Sequence, residues 1–309
     1  MRKAPLPFAV GAVLAASACG GTPPLVTPPP PPAPAMVQVE NAPGTEPHAG
    51  LQQANLVFEY LTEGGITRFT VVYFNPGGSS KIEPVRSARL ITLRLLHAFG
   101  GVLFFSGASS HVSGLINSEH LPHFDENSKY FHRDFSREAP HNLYTTDDLL
   151  AQGVQSKGLH RSYALWPTGS PGGGGRAVTT IAFAQTPSHH VTVTFGSGVY
   201  TYKSEEGPEA DAGAGGQPLK ISNVVLLQVA HHNAGYTEDV LGAQGIDFDL
   251  QGTGPATVYS GGKRYDARWD LSNPDRPLRL LASTGTLMRL PAGLTWIFVV
   301  DPGAAVQES

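Results

Sequence analysis

Between residues 56 and 105 the apolar positions change period twice. Residues 56–61 and 66–74 are rich in β-branched and aromatic side chains and read as two strands joined through Thr62-Glu63-Gly64-Gly65. After the turn Gly77-Gly78-Ser79-Ser80, residues 82–85 lead into a helix predicted over 87–99. Gly100-Gly101 stops that helix, and 102–105 is a further buried strand. Thr145 or Thr146 is placed to cap a short helix through Asp147, Asp148, Leu149 and Leu150. Strands alternating with helices predict an α/β layer. The texture changes at Pro171-Gly172-Gly173-Gly174-Gly175. Beyond it Val191, Val193 and Phe195 alternate with Thr192 and Thr194, and Gly196-Ser197-Gly198 turns into 199–203. Val258-Tyr259 and Tyr265, Ala267 and Trp269 flank Gly261-Gly262 as a second hairpin, and 295–300 is a closing strand. The expected fold is an α/β (α+β) N-terminal domain over 36–170 followed by a β-rich C-terminal domain over 176–303, with no internal repeat.

The first residues break this pattern. Met1-Arg2-Lys3 is basic, 4–15 is apolar and uncharged, and Ala16-Ser17-Ala18 precedes Cys19. A charged start, a short apolar core and small residues before a cut site define a secretory signal peptide over 1–18. The apolar run falls short of the roughly 20 residues a spanning helix needs. Cys19 is the only cysteine, so the chain has neither an internal disulfide nor a multi-thiolate metal set. A lone thiol outside the cytoplasm is best blocked, and acylation of Cys19 would block it while tying the chain to the membrane. Residues 19–35 include Pro28-Pro29-Pro30-Pro31-Pro32 and read as an extended polyproline II tether. The expected location is therefore extracytoplasmic, on a lipid anchor. Losing Arg2 and Lys3 leaves a mature net charge of about −6, the reverse of the basic excess a nucleic-acid binder carries.

The most informative segment for chemistry is Glu83-Pro84-Val85-Arg86-Ser87-Ala88-Arg89. On the predicted helix Arg86 and Arg89 share a face at the first turn, where the macrodipole disfavours cations. An anion held by the helix N–H groups and both guanidinium forks would account for them. Pairing with local carboxylates such as Glu83 would account for them equally well. Arg68 lies on the strand face of Ile66, Thr70 and Val72, with Glu59 or Glu63 as its expected partner. His141 is a candidate acid or base with Asp134 or Asn142 as orienting partner. Ser87, Glu63, Arg133 and Asn142 complete the candidate ligand set. His111, His120, His123 and His132 lack metal-ligand spacing, so no metal and no cofactor is expected. The single cysteine and the missing Gly-x-Ser-x-Gly elbow leave no nucleophile motif.

Several longer motifs converge on one family. Glu40-Asn41-Ala42-Pro43, residues 58–69, Pro84-Val85-Arg86-Ser87-Ala88-Arg89, Ala139-Pro140-His141-Asn142-Leu143-Tyr144, Asn223-Val224-Val225 and Gly293-Leu294-Thr295-Trp296-Ile297 together resemble the YerB-type lipoprotein family. The resemblance implies a lipoprotein with two successive domains of unknown function. It departs at Gly207-Pro208-Glu209-Ala210-Asp211, where the family tends to carry a histidine and an aspartate. Arginines after a central strand in an exported α/β protein also look like those of LytR-type wall-polymer enzymes, an analogy of fold alone. Three readings follow. The first is a non-enzymatic envelope protein binding an anionic cell-wall or lipid-linked ligand. The second is an enzyme on lipid-linked phosphate or wall polymer, with His141 or Asp134 moving a proton. The third is a docking partner of another envelope protein, of unknown identity.

Overall fold

The structure is a computed structural model that describes Met1, residues 29–274 and residues 276–309. The predicted signal peptide and Cys19 lie outside the described residues, Met1 aside. The tether is shorter at its C-terminal end than expected. Pro31 and Leu159 carbonyls accept from Arg161 and Ala33 N–H groups, Ala33 is fully buried, and the first strand starts at Ala35.

Three neighbouring strands carry the centre of the molecule: β1 (Ala35–Asn41), β2 (Leu56–Leu61) and β3 (Thr67–Tyr73). They belong to an eleven-stranded sheet to which both halves of the sequence contribute. On one side lie Val102–Phe104 and His123–Phe124; on the other lie Thr295–Val300, Asn223–Gln228 and the hairpin of Gly252–Ser260 with Lys263–Leu271. The halves meet where β2 runs parallel to Thr295–Val300, with Val57 opposite Trp296 and Glu59 opposite Phe298. The α/β and β-rich regions predicted from the sequence are thus both present, and a single sheet runs through them.

The pleat sorts these strands into two faces. Val57, Phe69, Val71, Trp296 and Phe298 point to one core, which a second, five-stranded sheet covers with Ile181, Phe183, Val191, Val193 and Tyr202. Helix α3 (Asp147–Lys157) closes the same side with Leu150 and Val154. Leu56, Phe58, Tyr60 and Val72 point to the other core, under α1 (Leu90–Phe99) and α2 (Ser110–Ser118). The hairpin of His231–Thr237 and Gln244–Phe248 completes that cover, with Phe248 edge-on to Tyr60.

Helix α1 starts three residues later than the pattern predicts. Val85, Arg86 and Ala88 give their N–H groups to the carbonyls of Leu143, Gln38 and Gly107. Those bonds hold the backbone extended and leave Arg89 as N-cap, with Thr92 Oγ1 accepting its N–H at 3.0 Å. Gly100 ends the helix in the left-handed region, as the sequence predicts. Thr146 is the N-cap residue of α3, although its hydroxyl makes no capping bond.

Candidate functional site

A cleft of about 1000 Å³ opens between the α1 end of the large sheet and the hairpin of His231–Thr237 and Gln244–Phe248. Its walls bring together Arg68, Arg86, Ser87, Arg89, Glu63 and His141, six of the candidates drawn from sequence. Arg133, Asn142 and Asp134 are not among its lining residues. Arg133 donates to Asn142 Oδ1 at 2.9 Å and to Glu126 Oε2 at 2.6 Å. Asp134 accepts from Lys81 and from the Ser136 hydroxyl, which hold its carboxyl far below the usual range. His141 therefore does not have Asp134 or Asn142 as its partner. Its Nδ1 sits 2.7 Å from Glu40 Oε2.

Arg68 sits at the base. Strand register places it beside Tyr60 on β2 and Glu40 on β1, on the face predicted from alternation. The same pleat turns Glu59, one of its expected partners, to the opposite face. Glu63, the other, is taken by Arg89. Arg68 is 3 % exposed and forms no salt bridge among the described residues. Its guanidinium makes one hydrogen bond there, Nη1 to the Ser87 carbonyl at 3.1 Å, and the buried Nε has no acceptor. Burial, reinforced by the like charge of Arg89, pushes its pKa down to about 10, although the nearby Glu63 and Glu40 carboxylates work in the other direction.

The other two arginines differ in how far they are committed. Arg89 is saturated: Nε and Nη2 grip the Glu63 carboxylate, Nη1 takes the Ala88 carbonyl, and Glu238 lies 3.5 Å from Nε. Burial opposes its charge, but the Glu63 bond and charge outweigh it and raise its pKa. Glu63 is lowered in turn: burial works against its charge and the Arg89 bond prevails. Arg86 gives only Nε to Glu40 Oε1, at 2.8 Å, and its two Nη groups have no partner among the described residues. Arg86 and Arg89 accordingly do not share a helix face, because the extended backbone at 86–88 delivers both to the cleft rim. Neither uses Glu83, the carboxylate expected locally.

Two residues central to this geometry were not among the site candidates drawn from sequence. Glu40 links Arg86 and His141 through its two oxygens and belongs to a strand the pattern did not resolve, although its alternation of Val37 and Val39 with Gln38 and Glu40 was there to find. Glu238 lies in a turn with no motif of its own. The remaining histidines are dispersed: His111 stacks on Tyr236 at 4.1 Å, His123 Nδ1 meets the Leu121 carbonyl, and His132 tilts against Tyr144. Among the described residues no group of three or more histidine, cysteine or acidic side chains is placed to hold a metal.

Fold and cleft define a two-region protein built on one shared sheet, with an open, mixed-charge cleft walled by both regions. Residues 23–160 match the Protein of unknown function (DUF3048) N-terminal domain, and residues 179–297 match its C-terminal domain. The chain belongs to this family. It is 26 % identical over 287 residues, 86 % of its own length and 81 % of the relative's, to the protein of Bacillus subtilis (strain 168) named "Putative lipoprotein YerB". The crystal structure of YerB from Bacillus subtilis superposes with a TM-score of 0.75 over 89 % of this chain and 94 % of that one, at 23 % identity. The fold is therefore shared. Among the described residues no helix is long and apolar enough to cross a membrane.

Proposed function

We propose that the chain is an exported envelope protein, held to the membrane by acylated Cys19, whose cleft binds an anionic ligand. The observation that carries the reading is Arg68: a buried guanidinium at the floor of an open cleft that forms no salt bridge among the described residues and leaves Nε without an acceptor. A buried cation costs several kcal/mol unless its donors are satisfied, so a phosphate or carboxylate from outside is the missing acceptor. Arg86, which lines the same cleft and whose Nη groups have no partner among the described residues, adds a second fork. Arg89 contributes position and field rather than donors, since Glu63 holds them. The lipid anchor is supported by the signal peptide, the lone cysteine and the name of the relative.

A thermal-shift titration of the folded chain with phosphate, pyrophosphate and wall-polymer fragments tests the site. At about 100 Kd a bound ligand adds about 2.7 kcal/mol, a rise of several degrees for a protein of this size. Arg68→Met with Arg86→Ala should lose the rise. A wild-type Tm that none of these anions moves would refute the anion site and shift the bet to protein pull-downs.

A second reading, turnover of a phosphate ester, is favoured by one feature, the His141 ring held by buried Glu40 while its other edge faces the cleft. In that case His141→Gln abolishes turnover and keeps binding. Incubating a lipid-linked phosphate ester with wild type and variant and measuring phosphate release decides it.

A further inference from the structure

The outer rim of the cleft carries two of the most exposed large apolar side chains among the described residues. Val240 and Leu241 line the cleft mouth and are fully or almost fully exposed. Their turn is built rather than loose. Asp239 Oδ1 accepts from both Leu241 N–H and Ala243 N–H at 2.9 Å, and the Asp239 carbonyl takes Gly242 N–H at 3.2 Å. Glu238 N–H closes the turn on the Ala243 carbonyl at 2.7 Å. Gly242, at φ +88°, supplies the left-handed residue that lets the chain reverse. The base of the turn is tied across the cleft: the buried Glu238 carboxylate faces Arg89 and accepts from the Tyr236 hydroxyl at 2.7 Å. Four hydrogen bonds thus hold two apolar side chains in water at the entrance of a mixed-charge cavity with the buried Arg68 at its floor.

Resting on the anion-site reading above, we infer that the ligand is an amphiphile with a phosphate-type head and an aliphatic chain, the head on Arg68 and Arg86 and the chain leaving past Val240 and Leu241. An anion without a chain would leave the two side chains as exposed as they are now. A purely apolar ligand would leave Arg68 unsatisfied. The open geometry suits this division, because the chain need not be swallowed; it has only to lie against the rim. Glu238, being tied to Arg89 and Tyr236, keeps the rim at a fixed distance from the arginines and so sets which part of the chain meets it.

The test uses the full chain carrying Cys19→Ser, which cannot be acylated, and two monoalkyl phosphates with one head and different tails, butyl and octyl phosphate, both below their micelle concentrations. Titration calorimetry reads the affinity ratio. A fully buried methylene is worth about fourfold, so partial cover of the four extra methylenes should make octyl phosphate at least roughly tenfold tighter. Val240→Ser/Leu241→Ser should collapse that ratio to under about threefold. Butyl and octyl phosphate binding equally would overturn the amphiphile and leave the anion site standing. So would an octyl advantage that survives the double substitution, or one seen only above the micelle concentration. If neither phosphate binds, the anion-site reading itself falls and this inference with it.

Discussion

The three central strands carry a polar cluster on each face, and the two clusters are finished differently. On the face toward the five-stranded sheet, Glu59 is fully buried and saturated. Its Oε1 accepts from Thr67 at 3.0 Å, Asn41 at 3.3 Å, Tyr202 at 3.2 Å and His189 at 2.9 Å, and its Oε2 takes Trp296 Nε1 at 3.0 Å. At the neighbouring rung of the ladder, where Tyr60 faces Arg68 and side chains point to the opposite face, Arg68 has a single bond among the described residues and an orphaned Nε. Both groups are buried ions on adjacent strands, so burial alone separates nothing. What separates them is satisfaction: a charge whose partners are complete is part of the framework, and one left short beside an opening is waiting for an acceptor.

The largest effect should come from breaking the complete cluster. Glu59→Ala strands five donors drawn from β1, β3, the second sheet and the closing strand. A loss of about 3–5 kcal/mol is expected, the cost of removing one partner of a buried ionic network. Urea unfolding at neutral pH measures it, with Glu59→Gln as the milder variant where the alanine chain does not fold. A cost below about 1 kcal/mol would show that the cluster is not the framework it looks to be.

A second buried pair on the same side adds a pH dependence. His48 is fully buried between Glu209 Oε1 and the Glu40 carbonyl, each 2.7 Å away. The Glu40 carbonyl can only accept, so Nε2–H donates to it, and the Nδ1 contact with Glu209 completes the ring's partners. Burial alone would lower the His48 pKa; the charge and hydrogen bond of Glu209 outweigh it and raise the pKa above 6.5. The folded chain keeps this proton where the unfolded chain releases it. The stabilisation is complete below about pH 6.5 and fades as pH rises through the folded value. Glu209→Gln should cost about 1.5–3 kcal/mol at pH 6 and less at pH 9. An equal cost at both would mean that His48 is neutral throughout.

How much of this was legible beforehand follows from the range of each interaction. β2, β3, the stop at Gly100 and the hairpin over 189–204 are local patterns, and they appear within a residue or two of where alternation and glycine put them; the second hairpin turns at Gly261-Gly262 as read, but its first strand starts at Gly252, six residues before Val258. Arg68 was assigned to its correct face by the same two-residue period. The start of α1 was not legible, because three N–H groups at 85–88 are claimed by Leu143, Gln38 and Gly107, all distant in sequence. The partners of the arginines failed for the same reason: Glu40 lies 46 residues from Arg86, and Glu63 lies 26 from Arg89. Asp134, Arg133 and Asn142 were grouped with His141 by proximity in the chain, whereas the hairpin there sends His141 to the cleft and its neighbours to Lys81 and Glu126.

On the cleft side, removal of charge should act in the opposite sense to Glu59→Ala. Arg68→Met discards a desolvated cation with one bond and keeps most of its volume. Stability should stay within about 1 kcal/mol of wild type or rise, while the anion-dependent Tm shift disappears. If Arg68→Met were as costly as Glu59→Ala, Arg68 would belong to the framework and the contrast between the faces would collapse.

The smallest effect, and the sharpest control on where the cleft ends, is Arg133→Ala. Arg133 pairs with Glu126, and both side chains are a little over a third exposed. A solvent-exposed pair of this kind contributes about 0–0.5 kcal/mol, since water and salt screen it and two long side chains lose entropy in holding it. The expected outcome is an unchanged urea midpoint and an unchanged anion shift at low salt. Arg86→Ala measured beside it should weaken the anion shift, because its Nη groups face the cleft and Arg133's are already spent on Asn142 and Glu126. Equal loss from both would mean that the whole basic rim, rather than the Arg68 floor, collects the anion. Binding would then fall with salt as a diffuse surface potential does.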